Sequence, residues 1–192
     1  MKYSLLMALS AFGALALGIA LAKADDDKKK DESVVELDGL KSKVPAGWKS
    51  HEPTNRMRAY EFTLPKAKDD MVDAEMIIFY FGPGGGGSAE DNIKRWKGMI
   101  EPPAGKKIDD VAKVEKSKVG DVPVTYLDVE GTYLFKEKPF DPNSKVETKP
   151  NYRMLGIVFE SPKGPYFIRV TGPAKTVGEQ KKAIDEWLKN FK

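Results

Sequence analysis

The residues best placed to do chemistry are the run Gly82-Pro83-Gly84-Gly85-Gly86-Gly87-Ser88, with Arg95 a little further on. The run follows a strand of buried type and opens a helix. Glycines let a backbone approach an anion closely, and the free N–H groups of a helix start favour negative charge. Gly84, Gly85, Gly86, Gly87, Ser88 and Arg95 are therefore candidate ligand contacts. The run lacks a G-K-[ST] ending, so it is no nucleotide-binding P-loop, and G-x-G-x-x-G spacing carries no information in so repetitive a stretch. The competing reading is a plain strand-to-helix connection in which Ser88 caps the helix.

His51 is the only histidine, in the polar stretch around Lys49–Thr54. It becomes a general base only where a nucleophile or carboxylates converge on it. The bland reading is a surface histidine. Carboxylates are plentiful (Asp69, Asp70, Asp73, Asp109, Asp110, Asp128, Glu130), but no calcium-loop spacing occurs, and Asp69-Asp70 and Asp109-Asp110 read as groups that solvate turns. No G-x-S-x-G or S-x-x-K pattern frames a serine nucleophile. With no cysteine and one histidine, thiol catalysis, disulfides, iron–sulfur clusters and Cys-zinc sites are excluded. No catalytic residue, metal or cofactor is expected. Two aromatic residues are candidate contacts. Trp48 follows Gly47 outside a clear element and is expected to be exposed. Phe140 is an apolar residue in the polar, proline-rich segment Phe135–Asn151, read as a long loop joining two strands. Its competing reading is packing back on the sheet. Trp96 and Trp187 lie on apolar helix stripes and belong to the core.

The elements that must position these residues are mostly strands. Arg56–Leu64 alternates, with Tyr60, Phe62 and Leu64 on one face. Ala74–Phe81 is apolar on both faces, as in a central strand covered on both sides. Gly120-Asp121 predicts a hairpin between Val111–Val119 and Val122–Phe135, and Pro162-Lys163-Gly164 predicts another between Tyr152–Glu160 and Tyr166–Thr171. Ser88 and Asp91 cap a helix carrying Ile93, Trp96 and Ile100, ended by Pro102-Pro103. Thr176 and Glu179 form a T-x-x-E box ahead of Ile184, Trp187, Leu188 and Phe191. Each stripe needs a sheet face. The expected class is α+β, a central antiparallel sheet of about six to seven strands flanked by two main helices in an α/β/α sandwich.

The first 24 residues read as a secretory signal. Lys2 gives a positive start, Leu5–Leu21 is apolar or small, and Ala22-Lys23-Ala24 matches a cleavage site. The rival is an uncleaved anchor, disfavoured by the run's length and by the acids that follow it. Residues 25–33 (DDDKKKDES) form a charged tether, and 34–192 a single domain. The formal net charge of +3 includes Lys2 and Lys23; without the leader it is +1. Such a balance gives little long-range attraction to nucleic acid, which is not expected as a partner, and membrane contact is expected only through the export signal.

Val44-Pro45-Ala46-Gly47-Trp48, Phe62-Thr63-Leu64-Pro65 and the closing hairpin and helix from Tyr166 to Phe191 together resemble the PsbP-like fold. The resemblance spans most of Val34–Phe191. It implies a central antiparallel sheet between helices and a non-catalytic binding or assembly role. The expectation is an exported, periplasmic or extracellular module that binds an envelope protein or ligand near Phe135–Asn151 and the glycine run. The alternative is a protein that binds or hydrolyses envelope polysaccharide, or binds a small anion.

Overall fold

A long amphipathic helix, α3 (Ala174–Lys189), buries Val177, Ile184, Trp187 and Leu188 against one face of an antiparallel sheet. A shorter one, α1 (Ala89–Lys97), buries Ile93 and Trp96 on the opposite face. The computed structural model describes residues 33–138, 141 and 143–192. The signal segment, nearly all of the tether and Phe140 lie outside the described residues. In chain order the strands are β1 (Val34–Leu37), β2 (Leu40–Lys43), β3 (Lys49–His51), β4 (Arg58–Leu64) and β5 (Ala74–Tyr80). After α1 come β6 (Ile100–Glu101), a short helix α2 (Ile108–Val111), β7 (Lys113–Val119), β8 (Val122–Lys136), β9 (Val146–Ser161) and β10 (Gly164–Pro173).

The sheet has eight strands, one or two more than expected, because the short β3 and β6 pair at its margins. Its order is β3-β4-β5-β10-β9-β8, with β6 and β7 sharing the outer edge of β8. Every pairing is antiparallel. Both predicted hairpins form: Val119 pairs with Val122, and Ser161 with Gly164. A separate hairpin, β1–β2, turns at Asp38-Gly39 with φ of 51° and 85°. That sign of φ at both central residues suits the right-handed twist of the flanking strands. Its Val35 and Leu37 join the α3-side core.

Two cores result from the side-chain alternation of the strands. Phe62, Met76, Ile168, Ile157 and Val124 face α3. Phe167, Val158, Met154, Leu127 and Val129 face α1. Gly156 lies directly beneath α1, and a Cβ there would stand 2.3 Å from Cε3 of Trp96. The missing side chain lets the indole lie on the sheet.

Three local expectations change. α3 starts at Ala174, two residues before Thr176, so Thr176 is no N-cap. It is fully buried, and its Oγ1 accepts from Ala67 N–H at 3.0 Å. Asp70 takes the capping role from outside the helix: its Oδ2 accepts from the Thr176 N–H at 3.0 Å and from the Thr176 hydroxyl. Asp70 is thus a remote cap rather than a group that solvates a turn. Asp70→Ala is expected to lower stability by about 1–2 kcal/mol, the usual cost of a lost cap, as measured by urea unfolding. α1 ends at Gly98, ahead of the prolines, because the chain turns there to lay Ile100–Glu101 against Tyr133 and Thr132.

The third change concerns Phe135–Asn151, which is mostly not a loop. β8 continues to Lys136, and β9 begins at Val146, so an arm of paired strand extends the sheet. The pairing runs from Tyr133↔Lys149 to Lys136↔Val146. A bulge separates arm from sheet. Gly131 faces Tyr152 and Tyr133 faces Lys149, so β9 carries one extra residue there. Asn151 takes it up with φ of 57°. A bulge bends a strand and increases its twist, and here it sets the arm's course relative to the α1 face. Among the described residues, no helix is long and apolar enough to cross a membrane.

Candidate functional site

The glycine run is a packed turn. Gly86 lies on the Phe167 ring, where a Cβ would come within 2.3 Å of Cε2, and a Cβ on Gly85 would meet the Phe81 carbonyl at 2.4 Å. Asn92, itself buried, donates through Nδ2 to the carbonyls of Gly86 and Ser88, both at 2.9 Å. Ser88 caps α1, its Oγ accepting from the Asp91 N–H at 3.1 Å and donating to Asp91 Oδ2 at 2.6 Å. Hydrogen bonds to Ser88 hold the Asp91 carboxyl below its usual range. The helix start therefore already holds a carboxylate, with Glu90 beside it. Two local acids satisfy the dipole that an external anion would use. Gly84 and Gly87 are exposed on this turn.

Arg95 donates through Nη2 to Asn92 Oδ1, the side chain that also holds the Gly86 and Ser88 carbonyls. Trp48, expected at the surface, is buried at 8% exposure. Its ring packs on Trp187 and Phe62 at centroid distances of 5.8 and 6.2 Å, and its Nε1 donates to Gln180 Oε1 at 3.1 Å. The partner that covers it lies 132 positions away. His51 is exposed at the end of an edge strand, 2.7 Å from the Thr63 hydroxyl. Trp48, His51, the glycine run and Arg95 do not converge on one cavity.

A different cleft carries the convergent groups. It lies on the α1 side of the sheet and encloses about 800 Å³. The arm supplies Phe135, Val146 and Lys149, the end of α1 supplies Met99, and the sheet floor supplies Arg58 and Arg169. Each is held in place from the backbone up. Met99 O accepts from Leu134 N–H at 2.9 Å, which pins the end of α1 to the arm. Lys149 sits over the Phe135 ring at 4.3 Å. Tyr133 stacks with Tyr152 at 6.0 Å, across the bulge. Val72 and Val146, half exposed, add apolar surface to the walls. The rim carries Asp73, Glu75 and Glu137.

Phe79, packed against the α1-side core, joins the two guanidiniums of the floor. The guanidinium carbons of Arg58 and Arg169 stand 5.9 and 5.6 Å from its ring centroid. Arg58 is ion-paired to Glu61 at 3.0 Å. Arg169 has no ion pair among the described residues, and its one side-chain hydrogen bond there is a weak donation to Met99 Sδ at 3.8 Å. Its Nε is buried without an acceptor. Desolvation of the Arg95 guanidinium, and then the nearby charge of Arg169, lower Arg95 below the usual arginine range.

Glu61 is the counterweight. Burial pushes its carboxyl up, but the Thr54 backbone and hydroxyl, donating at 2.6 and 2.9 Å, and the Arg58 charge together hold it below the ordinary glutamate range. A carboxylate depressed in the folded state adds stability that is full above its unfolded value and is lost as pH falls through its folded one. Stability should therefore decline on acidification below about pH 4.5, and Glu61→Gln should flatten that decline in urea midpoints taken across pH 2.5–6.

A second polar cleft of about 610 Å³ lies on the other side of the bulge. Its Arg153 is fully engaged, donating to both oxygens of Asp128 at 2.8 and 2.6 Å and pairing with Glu130 at 3.2 Å. This network ties β8 to β9 and commits the Arg153 guanidinium to the protein's own carboxylates.

Sequence reasoning passed over Arg58, Phe79, Arg169 and Lys149. Arg169 did leave a signal: it is a lone charge inside Tyr166–Thr171, an otherwise apolar central strand. No family model matches the chain, and no curated protein matches it. Among solved structures it is similar to a Pseudomonas aeruginosa protein of unknown function, PA94, proposed there as a regulator, at 11% identity and a TM-score of 0.43, over 82% of this chain and 93% of that one.

Proposed function

We propose that the protein is an exported, non-enzymatic binding module of the cell envelope, built as a PsbP-like α/β/α sandwich, that seats its ligand in the cleft beside the β8–β9 arm. One observation carries the reading: an 800 Å³ concavity in which aromatic rings, aliphatic side chains and guanidiniums meet. Ligand sites are concave, largely apolar and furnished with a few placed polar groups. The floor is suited to holding a ligand rather than transforming it, since arginine stays protonated and serves neither as base nor as nucleophile. The fold reading rests on α1 and α3 occupying opposite faces of the sheet, and the export reading on Leu5–Leu21 and Ala22-Lys23-Ala24.

The test is retention of envelope components by immobilised protein, followed by mass spectrometry. Wild type should retain species that a Phe135→Ala/Val146→Ser variant loses. Identical retention by both would remove the cleft from the account. Both side chains are partly exposed, so the variant should fold.

A further inference from the structure

Arg169 is in an unusual electrostatic position. It sits in β10, fourth from the β3 end and third from the β8 end of the six-strand run that forms the body of the sheet. Its neighbours across the pairing are Ile77 and Gly156, neither of which can hydrogen-bond it through a side chain. Phe79 lies against it on one side and Met99 on the other. Among the described residues Nε is covered and has no acceptor, Nη1 has only a thioether sulfur, and Nη2 has no hydrogen-bond partner. The nearest cations make matters worse. Arg58 shares the same ring, and Arg95 is close enough to feel the Arg169 charge. Of the three guanidiniums, only Arg58 holds a carboxylate.

A partly desolvated charge without a counter-ion is costly to maintain. The rim acids do not provide one. Asp73 accepts from the Lys66 N–H at 2.9 Å, and neither Glu75 nor Glu137 forms an ion pair with Arg169. The cleft as a whole sets Arg58, Lys136, Lys149 and Arg169 against Asp73, Glu75 and Glu137. The floor is cationic, and the acids stand at the margin. Beyond the guanidiniums the walls are Phe135, Tyr133, Tyr152, Val72 and Val146.

We infer that the cleft takes a small amphiphilic carboxylate, its oxyanion held by the Nη edge of Arg169 beside Arg58, and its apolar body lying along Phe135, Tyr152 and Val146. The inference rests on the cleft being the ligand site. A guanidinium fork matches a carboxylate in plane, and charge-assisted pairs are the strong ones. Phosphate would satisfy the same fork, so the head group has to be tested directly.

Isothermal titration of the full-length protein with sodium octanoate, octyl phosphate and 1-octanol separates head from tail. Octanoate should bind at least about tenfold more tightly than 1-octanol, the effect of one charge-assisted hydrogen bond. Arg169→Gln should weaken octanoate by about tenfold or more and leave 1-octanol unchanged. Arg169→Lys, which keeps the charge and loses the fork, should fall between and covers the case in which the glutamine variant does not fold. Octyl phosphate binding in place of octanoate would overturn the carboxylate assignment. Equal affinity for octanoate and 1-octanol, or octanoate binding untouched in both variants, would overturn the inference and leave the cleft standing as an apolar site. Failure of all three compounds to bind would overturn it as well, and the cleft would then be judged by the retention test with Phe135→Ala/Val146→Ser.

Discussion

Trp187→Ala should lower unfolding free energy by about 3–5 kcal/mol, the range for deleting a large buried aromatic side chain. Trp187 is 1% exposed and joins three elements. It meets Trp48 at 5.8 Å and Phe191 edge-on at 5.0 Å, and its carbonyl accepts from Ser42 Oγ of β2 at 2.7 Å. The cavity left by alanine opens between α3, the β1–β2 hairpin and the segment before β3. None of these lines the cleft. Urea unfolding should therefore shift strongly, while ligand retention by the folded fraction should not. Trp187→Phe should be far milder. Its indole N–H is buried without an acceptor, and phenylalanine removes that stranded donor along with the volume.

Gly156→Val is the second large effect, and it links stability to the cleft. Even a Cβ at this position falls 2.3 Å from Trp96, and valine adds two more carbons. Neither partner has room to give: the glycine is in the strand between β8 and β10, and the indole is 2% exposed. Overpacking of this kind costs about 1–3 kcal/mol and sometimes more. The strain is expected to lift α1 from the sheet. Met99, just past the helix, forms one wall of the cleft and is bonded to the arm through Leu134. The variant should thus lose both stability and ligand retention, where Trp187→Ala loses only stability. Thermal unfolding measured alongside the retention assay distinguishes the two.

The sequence patterns that proved readable are local ones. Gly120-Asp121 and Pro162-Lys163-Gly164 mark hairpins because turn chemistry is confined to two or three residues. Ile93 and Trp96, and likewise Ile184, Trp187 and Leu188, mark helix faces because the helical period is intrinsic to the chain. By the same logic Asp38-Gly39 is a legible hairpin signal between β1 and β2. What stayed hidden was decided by distant partners. Trp48 looked exposed because Gln180 and Trp187 cannot be seen from its neighbours. Thr176 looked like a cap because Asp70 performs that task from 106 positions away. The arm looked like a loop because its strands carry lysines, glutamates and Pro150, residues of low strand propensity. Long pairing partners, and not the composition of the segment, make it sheet.

The candidate site divides the same way. Phe135–Asn151 was singled out by its length and by an apolar residue among polar ones, and the arm does supply one wall of the cleft. The chemistry of the floor was not deduced, since it depends on the registers that set Arg58 opposite Phe79 and Arg169 opposite Ile77, two residues along the same strand. Only those registers bring two guanidiniums to one ring. The glycine run drew attention by composition, yet its composition answers a packing need: Phe81 and Phe167 leave no room for side chains at Gly85 and Gly86.

Photo-crosslinking in living cells tests the central claim most directly. A benzophenone amino acid replaces Phe135 on the cleft wall in one strain and Lys116 of β7, exposed and outside the cleft, in another. The account predicts a discrete adduct at position 135, identified by mass, and none at position 116. Equal labelling at both positions, or a discrete adduct at 116 alone, would contradict it.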